Sequence, residues 1–180
     1  MFKFIKYLFS FIVFLVLAIT IYTASYYFIE IRSHNGAFTE KINEYIELSG
    51  NHFLLEKMAV KEEYRSGMLR YVAHSLALDT IETGFRNYWH LMGLHWHLWL
   101  WVLYSEKEVY QLWLAMAPNG SGQGMNEASK LHFNKTFEEL SCYQLAQLVV
   151  MVRSPTAFKP GSERSEERIK KRSVASVCSS

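Results

Sequence analysis

The distribution of apolar and polar positions divides the chain into two unequal parts. From Tyr7 to Ile29 there are 23 consecutive residues without a formal charge, dense in Phe, Ile, Leu and Val. A helix rises about 1.5 Å per residue, so this run is long enough to cross a hydrocarbon core of roughly 30 Å. A cleaved signal peptide is the rival reading, but its apolar region is typically about 7–15 residues, and the nearest small-residue cleavage pattern is only Thr23-Ala24-Ser25. A retained anchor is therefore expected. Lys3 and Lys6 precede the span, whereas Glu30 and Arg32 follow it and balance. The positive-inside rule then predicts a cytoplasmic N-terminus and an external location for everything after residue 30, with Tyr22, Tyr26 and Tyr27 at the outer interface.

Beyond the span the apolar residues recur at helical spacing. Phe38, Ile42, Tyr45 and Ile46 predict a helix over 37–48, ended by Ser49-Gly50-Asn51. Leu54, Leu55, Met58, Met68, Leu69, Val72 and Leu76 predict another over 52–78, with KEEYRSG at 61–67 as a polar interruption. Segments 85–103, 106–117, 125–133 and 138–153 follow, with the loop PNGSGQG at 118–124. No alternating strand pattern of useful length occurs, so the class is all-α. The last helix should stop near Arg153 or Ser154, because Pro155 restricts the residue before it, and TAFKP reads as a rigid extended exit.

Composition narrows the function classes. A chain of 180 residues with 16% aromatics and a formal charge of +2 is neither disordered nor basic enough to imply nucleic acid as a partner. Two cysteines, Cys142 and Cys178, make no framework, and whether they pair is left open. His90, His95 and His97 lie in the aromatic segment 88–104, but no i, i+4 pair and no Glu or Cys completes a metal shell. That segment is too short and too rich in imidazole for a second span, and reads as an interfacial or core helix. The glycine-rich 120–124 lacks the GK[ST] ending of a phosphate loop and reads as a flexible connector.

From Ser105 onward the chain carries SEKEVYQLWLA (105–115), NGSGQG (119–124), EASKLHFNK (127–135), FEELSCYQLAQLVVMVRSPTAFKP (137–160) and SEERIKKR (165–172). In order and spacing this resembles the C-terminal half of the family 51 glycosyltransferases, the peptidoglycan transglycosylases. The family reads approximately SKEEILELYLN, a glycine-rich loop, AAxxYFGK, ELTxxEAALLAxLPxxPSxYNP and ERAxxRR. The resemblance implies an all-α architecture. A single N-terminal transmembrane helix (7–29) would follow a cytoplasmic stub (1–6) and lead into an abbreviated lysozyme-like helical transglycosylase-type domain (30–160). A polar C-terminal tail (161–180) would close it. It further implies a single-pass protein of the bacterial inner membrane, with its domain on the outer face. The implied ligand is lipid-linked peptidoglycan precursor, with other cell-wall synthesis proteins as partners. A divalent cation would enter only as a cofactor of an active site.

The chemistry implied by the family needs a glutamate as general base on a sugar hydroxyl and cations opposite the departing diphosphate. MAVKEEYRS (58–66) resembles the family's first motif and would place the base at Glu62, with Arg65 retained. His34-Asn35-Gly36 is the competing placement and puts Tyr27 at the glutamate position. The plain reading of EEYR is a solvated turn. Arg86 and Arg172 fall on basic positions of the later motifs. The departures are numerous: Arg70 and Tyr71 replace two glutamines, Asn87 a lysine, and His90 the second catalytic glutamate. Trp113, Ala115 and Gln144 replace a tyrosine, an asparagine and a glutamate. The expectation is a catalytically silent relative that binds lipid-linked precursor or a cell-wall synthase. The alternative is an active divergent transglycosylase with Glu62 as base and Arg65, Arg86 and Arg172 near the phosphates.

Overall fold

The computed structural model describes residues 2–45, 50–63, 65–80 and 89–179. Among these every regular element is helical, apart from one isolated bridge between Pro118 and Gln123, so the protein is all-α. The chain forms two compact units, Met1–Ala37 and Phe38–Ser180.

From the N-terminus, α1 (Phe2–Tyr26) passes through one π-helical turn (Tyr27–Ile31) into α2 (Arg32–Glu44), whose residues from Phe38 onward belong to the second unit. Twenty-five residues of α1 rise about 38 Å, enough to cross a bilayer. Every residue from Phe4 to Tyr22 is exposed, including Phe9, Phe14 and Leu17. A helix apolar on all sides with no protein packed on it is suited to a lipid solvent.

The second unit is built on α3 (Gly50–Glu63), α4 (Arg65–Thr80), α5 (Trp89–Leu103), α6 (Glu106–Met116), α7 (Met125–Phe133), α8 (Cys142–Val152) and α9 (Glu163–Arg172), with a closing 3-10 turn, Val174–Ser179. α8 lies at its centre: every residue from Leu145 to Val152 is buried, and the helix packs on α3, α7, α9 and the 3-10 turn. α4 packs on α5 and α6. Burying Leu, Val and Met side chains at about 1.5–3 kcal/mol each is the main source of stability here. A few buried polar groups orient the helices. Tyr110 donates to the carbonyl of His52 (2.7 Å), Gln111 to that of Tyr45 (2.8 Å), and the Asn51 amide to the carbonyls of Phe137, Glu138 and Leu140 (2.9–3.1 Å).

Several expectations change. Gly50 and Asn51 do not end a helix. They open α3, and Asn51 is spent on clasping the turn before α8. α8 ends where Pro155 predicts, but the exit is not extended: the amides of Ala157 and Phe158 return to the carbonyl of Ser154 (3.1 and 2.9 Å). Proline constrains the residue before it and leaves the following ones free to turn. The loop at 118–124 is not a loose connector. The Asn119 side chain accepts from the amides of Ser121 and Gly122 and donates to the carbonyl of Gln123, while Gly120 and Gly124 supply positive φ.

The order of the tail, open in the sequence, is resolved. Residues 163–172 and 174–179 are helical on either side of a left-handed Ser173, with Ile169, Val174 and Val177 buried, and Cys142 is disulfide-bonded to Cys178 across a Cα–Cα distance of 5.8 Å. Closing a loop across a separation of 36 residues is worth about 4 kcal/mol in the chain-entropy account.

Candidate functional site

Of the residues singled out by chemistry, Glu62 occupies the most informative position. It lies in the last turn of α3 with no solvent-exposed side-chain surface. The solvated turn expected at EEYR is therefore absent at this residue. Oε1 accepts two hydrogen bonds from one guanidinium, from Arg168 Nε (2.7 Å) and from Arg168 Nη2, while Oε2 lies 3.8 Å from Arg172 Nε. A carboxylate removed from water is stabilised only by such charged donors.

α9 delivers the two arginines from one face. They stand four residues apart, and Ile169 between them anchors the helix in the core. The Arg168 guanidinium also lies 5.8 Å from the centroid of the Phe158 ring, within range of a cation–π contact. The bent exit from α8 thus supports the residue that holds Glu62. On its other side α9 is tied to α8 through Glu166, which accepts from Gln147 (2.8 Å) and from the Tyr143 hydroxyl.

The structure brings Glu62 and Arg172 together and adds Arg168, which sequence reasoning passed over. Its signal was the i, i+4 arginine pair of SEERIKKR, visible in the sequence but without a partner there. Arg65 opens α4, its side chain lying outside the described residues, and Arg86 lies wholly outside them. His90 is exposed on α5, its ring 6.4 Å from that of His74. Trp113, at the family's tyrosine position, is buried and stacks on Tyr110 at 6.0 Å. Gln144 closes a capping box with Ser141, its Oε1 accepting from the Ser141 amide (2.9 Å). Ser105 and Glu108 do the same for α6. These S-x-x-Q and S-x-x-E spacings mark helix starts.

A separate cavity of about 340 Å³ opens among α3, α4, α5 and α6. Met68, Leu69, Trp101 and Val109 are among its apolar lining residues, and Glu56 and Glu106 line it as well. Glu62 and the two arginines are not part of its lining. The buried ion pair and the cavity are distinct places in the fold.

Residues 95–178 match the family described as Transglycosylase. The chain is also similar to the "Uncharacterized protein YfeL" of Salmonella typhimurium, at 26% identity over 162 residues, covering 87% of this chain and 86% of that protein. That likeness reaches well upstream of residue 95. No solved structure matches. The family segment holds α6 to α9 and the disulfide, the same stretch that carries the motif resemblance from Ser105 onward. The match to the transglycosylase family model over residues 95–178 thus falls on the stretch whose motifs resemble the family 51 glycosyltransferases.

Proposed function

We propose that this is a membrane-anchored, catalytically silent transglycosylase-like protein of peptidoglycan assembly, which binds the lipid-linked precursor or a cell-wall synthase without polymerising glycan. The observation that carries the reading is Glu62. A general base must reach the proton it takes, within about 3 Å or through one water. The Glu62 carboxylate has no exposed surface and is held by Arg168 and Arg172. It does the work of a structural anion. Gln144 and Trp113, at two other motif positions, are likewise engaged in a helix cap and in core packing.

The anchor reading rests on α1, and the orientation on Lys3 and Lys6. The Cys142–Cys178 bond agrees with a domain outside the cytoplasm, since disulfides persist in oxidising compartments.

The test is polymerisation of lipid-linked disaccharide-peptide by the full chain in detergent, with a Glu62→Gln variant beside it. The silent reading expects no product from either, with precursor or synthase capture by the wild type and loss of thermal stability in the variant. Robust wild-type polymerisation that falls by about two to four decades in Glu62→Gln would establish the active alternative instead.

A further inference from the structure

The cavity among α3, α4, α5 and α6 has no part in the function proposed above. Its lining residues His97 and Trp101 follow His90 by about 10 and 16 Å of helix rise. The cavity therefore lies along the C-terminal half of α5, away from the position that stands for the family's second glutamate. Trp101, Tyr104 and Tyr110 give it aromatic lining, and Met68 and Leu69 add aliphatic surface. Two carboxylates join this apolar lining, Glu56 from α3 and Glu106 from the first turn of α6. None of the described lining residues is Lys or Arg.

Such a lining discriminates by charge as well as by shape. An anion entering a partly enclosed apolar space meets two like charges that water screens weakly. An ammonium group meets opposite charges and aromatic rings, and both attract it. Burial, and after it the charge of Glu56, raises the pKa of Tyr110 above the ordinary phenol range, so this carboxylate is felt in the aromatic wall. The Tyr110 hydroxyl itself donates to the carbonyl of His52 (2.7 Å). A neighbouring opening shares Glu56, Glu106 and Tyr110 and has an ammonium of the chain's own, Lys107, on its lining. The aromatic cavity has no such group among the described residues.

We propose that the cavity binds a small amphipathic amine, its ammonium group at Glu56 and Glu106 and its apolar body against Trp101, Tyr104 and Leu69. A volume of about 340 Å³ is at the small end of ligand pockets, which span about 300–1,000 Å³, so the body is a single aromatic or branched group. A free amino acid fits poorly, because its carboxylate would find no Lys or Arg among the described lining residues. The diphosphate of a lipid-linked precursor has the wrong sign for the same reason. The inference thus goes beyond the proposed function and needs neither its anchor nor its silence.

The probes are phenethylamine, phenethyl alcohol and phenylacetate, which share a ring and differ in charge. The full chain, isotope-labelled at the methionine methyls, is held in an uncharged maltoside micelle and titrated with each. The Met68 methyl reports the cavity, and the Met125 methyl, buried on α7, reports the rest of the core. The expected result is a saturable Met68 shift with phenethylamine, at least about tenfold tighter than with phenylacetate, with phenethyl alcohol between them and Met125 still. Combining Glu56→Gln with Glu106→Gln should bring the three affinities within about twofold of one another. Leu69→Trp fills the space and should remove the Met68 response to all three. Melting temperatures check that both variants fold, and the wild-type series decides by itself where one does not. Equal Met68 shifts with all three probes would show an apolar space without charge selection and overturn the proposal. It falls equally if no probe moves Met68, or if Met125 moves with it.

Discussion

Glu62 shows how a single side chain changes its meaning once its neighbours are known. In the sequence it sits in Lys-Glu-Glu-Tyr-Arg, the composition of a wetted turn. In the fold it is buried, and the arginine that neutralises it lies 106 positions further along. A local pattern does not display a partner at that separation, which is why Arg168 escaped notice while Arg172 was found by its motif. Buried ion pairs are costly to break and often replaceable as a unit. Arg168→Met should therefore destabilise the protein by about 3–5 kcal/mol in chemical denaturation, whereas Glu62→Met with Arg168→Met should recover most of that loss.

His52 makes a second residue-level case, buried and stacked on Phe137 at 4.4 Å. Burial holds its pKa below the usual histidine value, against a weaker opposing effect from Glu138, and His74 is lowered by burial, His90 and Arg70. The unfolded chain then binds protons near pH 6.5 that the folded one refuses. Stability should be full above that value and decline as pH falls through it. His52→Phe should flatten, without abolishing, the slope of unfolding midpoint against pH between 7 and 5.

At the level of elements, the helical periodicity was readable because most helices carry one buried face or a plain apolar run. α7 spans 125–133 as the spacing predicts, and α6 and α8 begin at serine caps written in the sequence. The misjudged places were short and polar. Gly50-Asn51 reads as a stop because Gly is strongly enriched just past helix ends, and only the carbonyls of Phe137, Glu138 and Leu140 give Asn51 its task. The segment TAFKP turns back on Ser154, so Pro155 just before it acts by restricting the unfolded chain. Pro155→Ala should lower stability by about 0.4–1 kcal/mol and leave precursor capture unchanged. A large loss of capture at unaltered melting temperature would assign that turn to the ligand.

For the whole molecule, the sequence resolved a long apolar N-terminal helix and a helical domain but left the tail and the cysteines undecided. Apolar runs announce themselves, whereas a polar segment docks through partners that only the fold reveals. If the positive-inside reading holds, an alkaline phosphatase fused after residue 180 should be active in cells and a cytoplasmic reporter at the same point silent. The reverse pattern would place the domain inside.

The bond from Cys142 to Cys178 also gives the molecule a topology of its own. Everything from the first turn of α8 to the last turn of the chain is a covalent ring, with exposed Arg153 in its circumference. A trypsin cut after Arg153 opens the ring without releasing a fragment. The mass rises by one water, both arms stay joined, and a shorter band is seen only once the disulfide has been reduced.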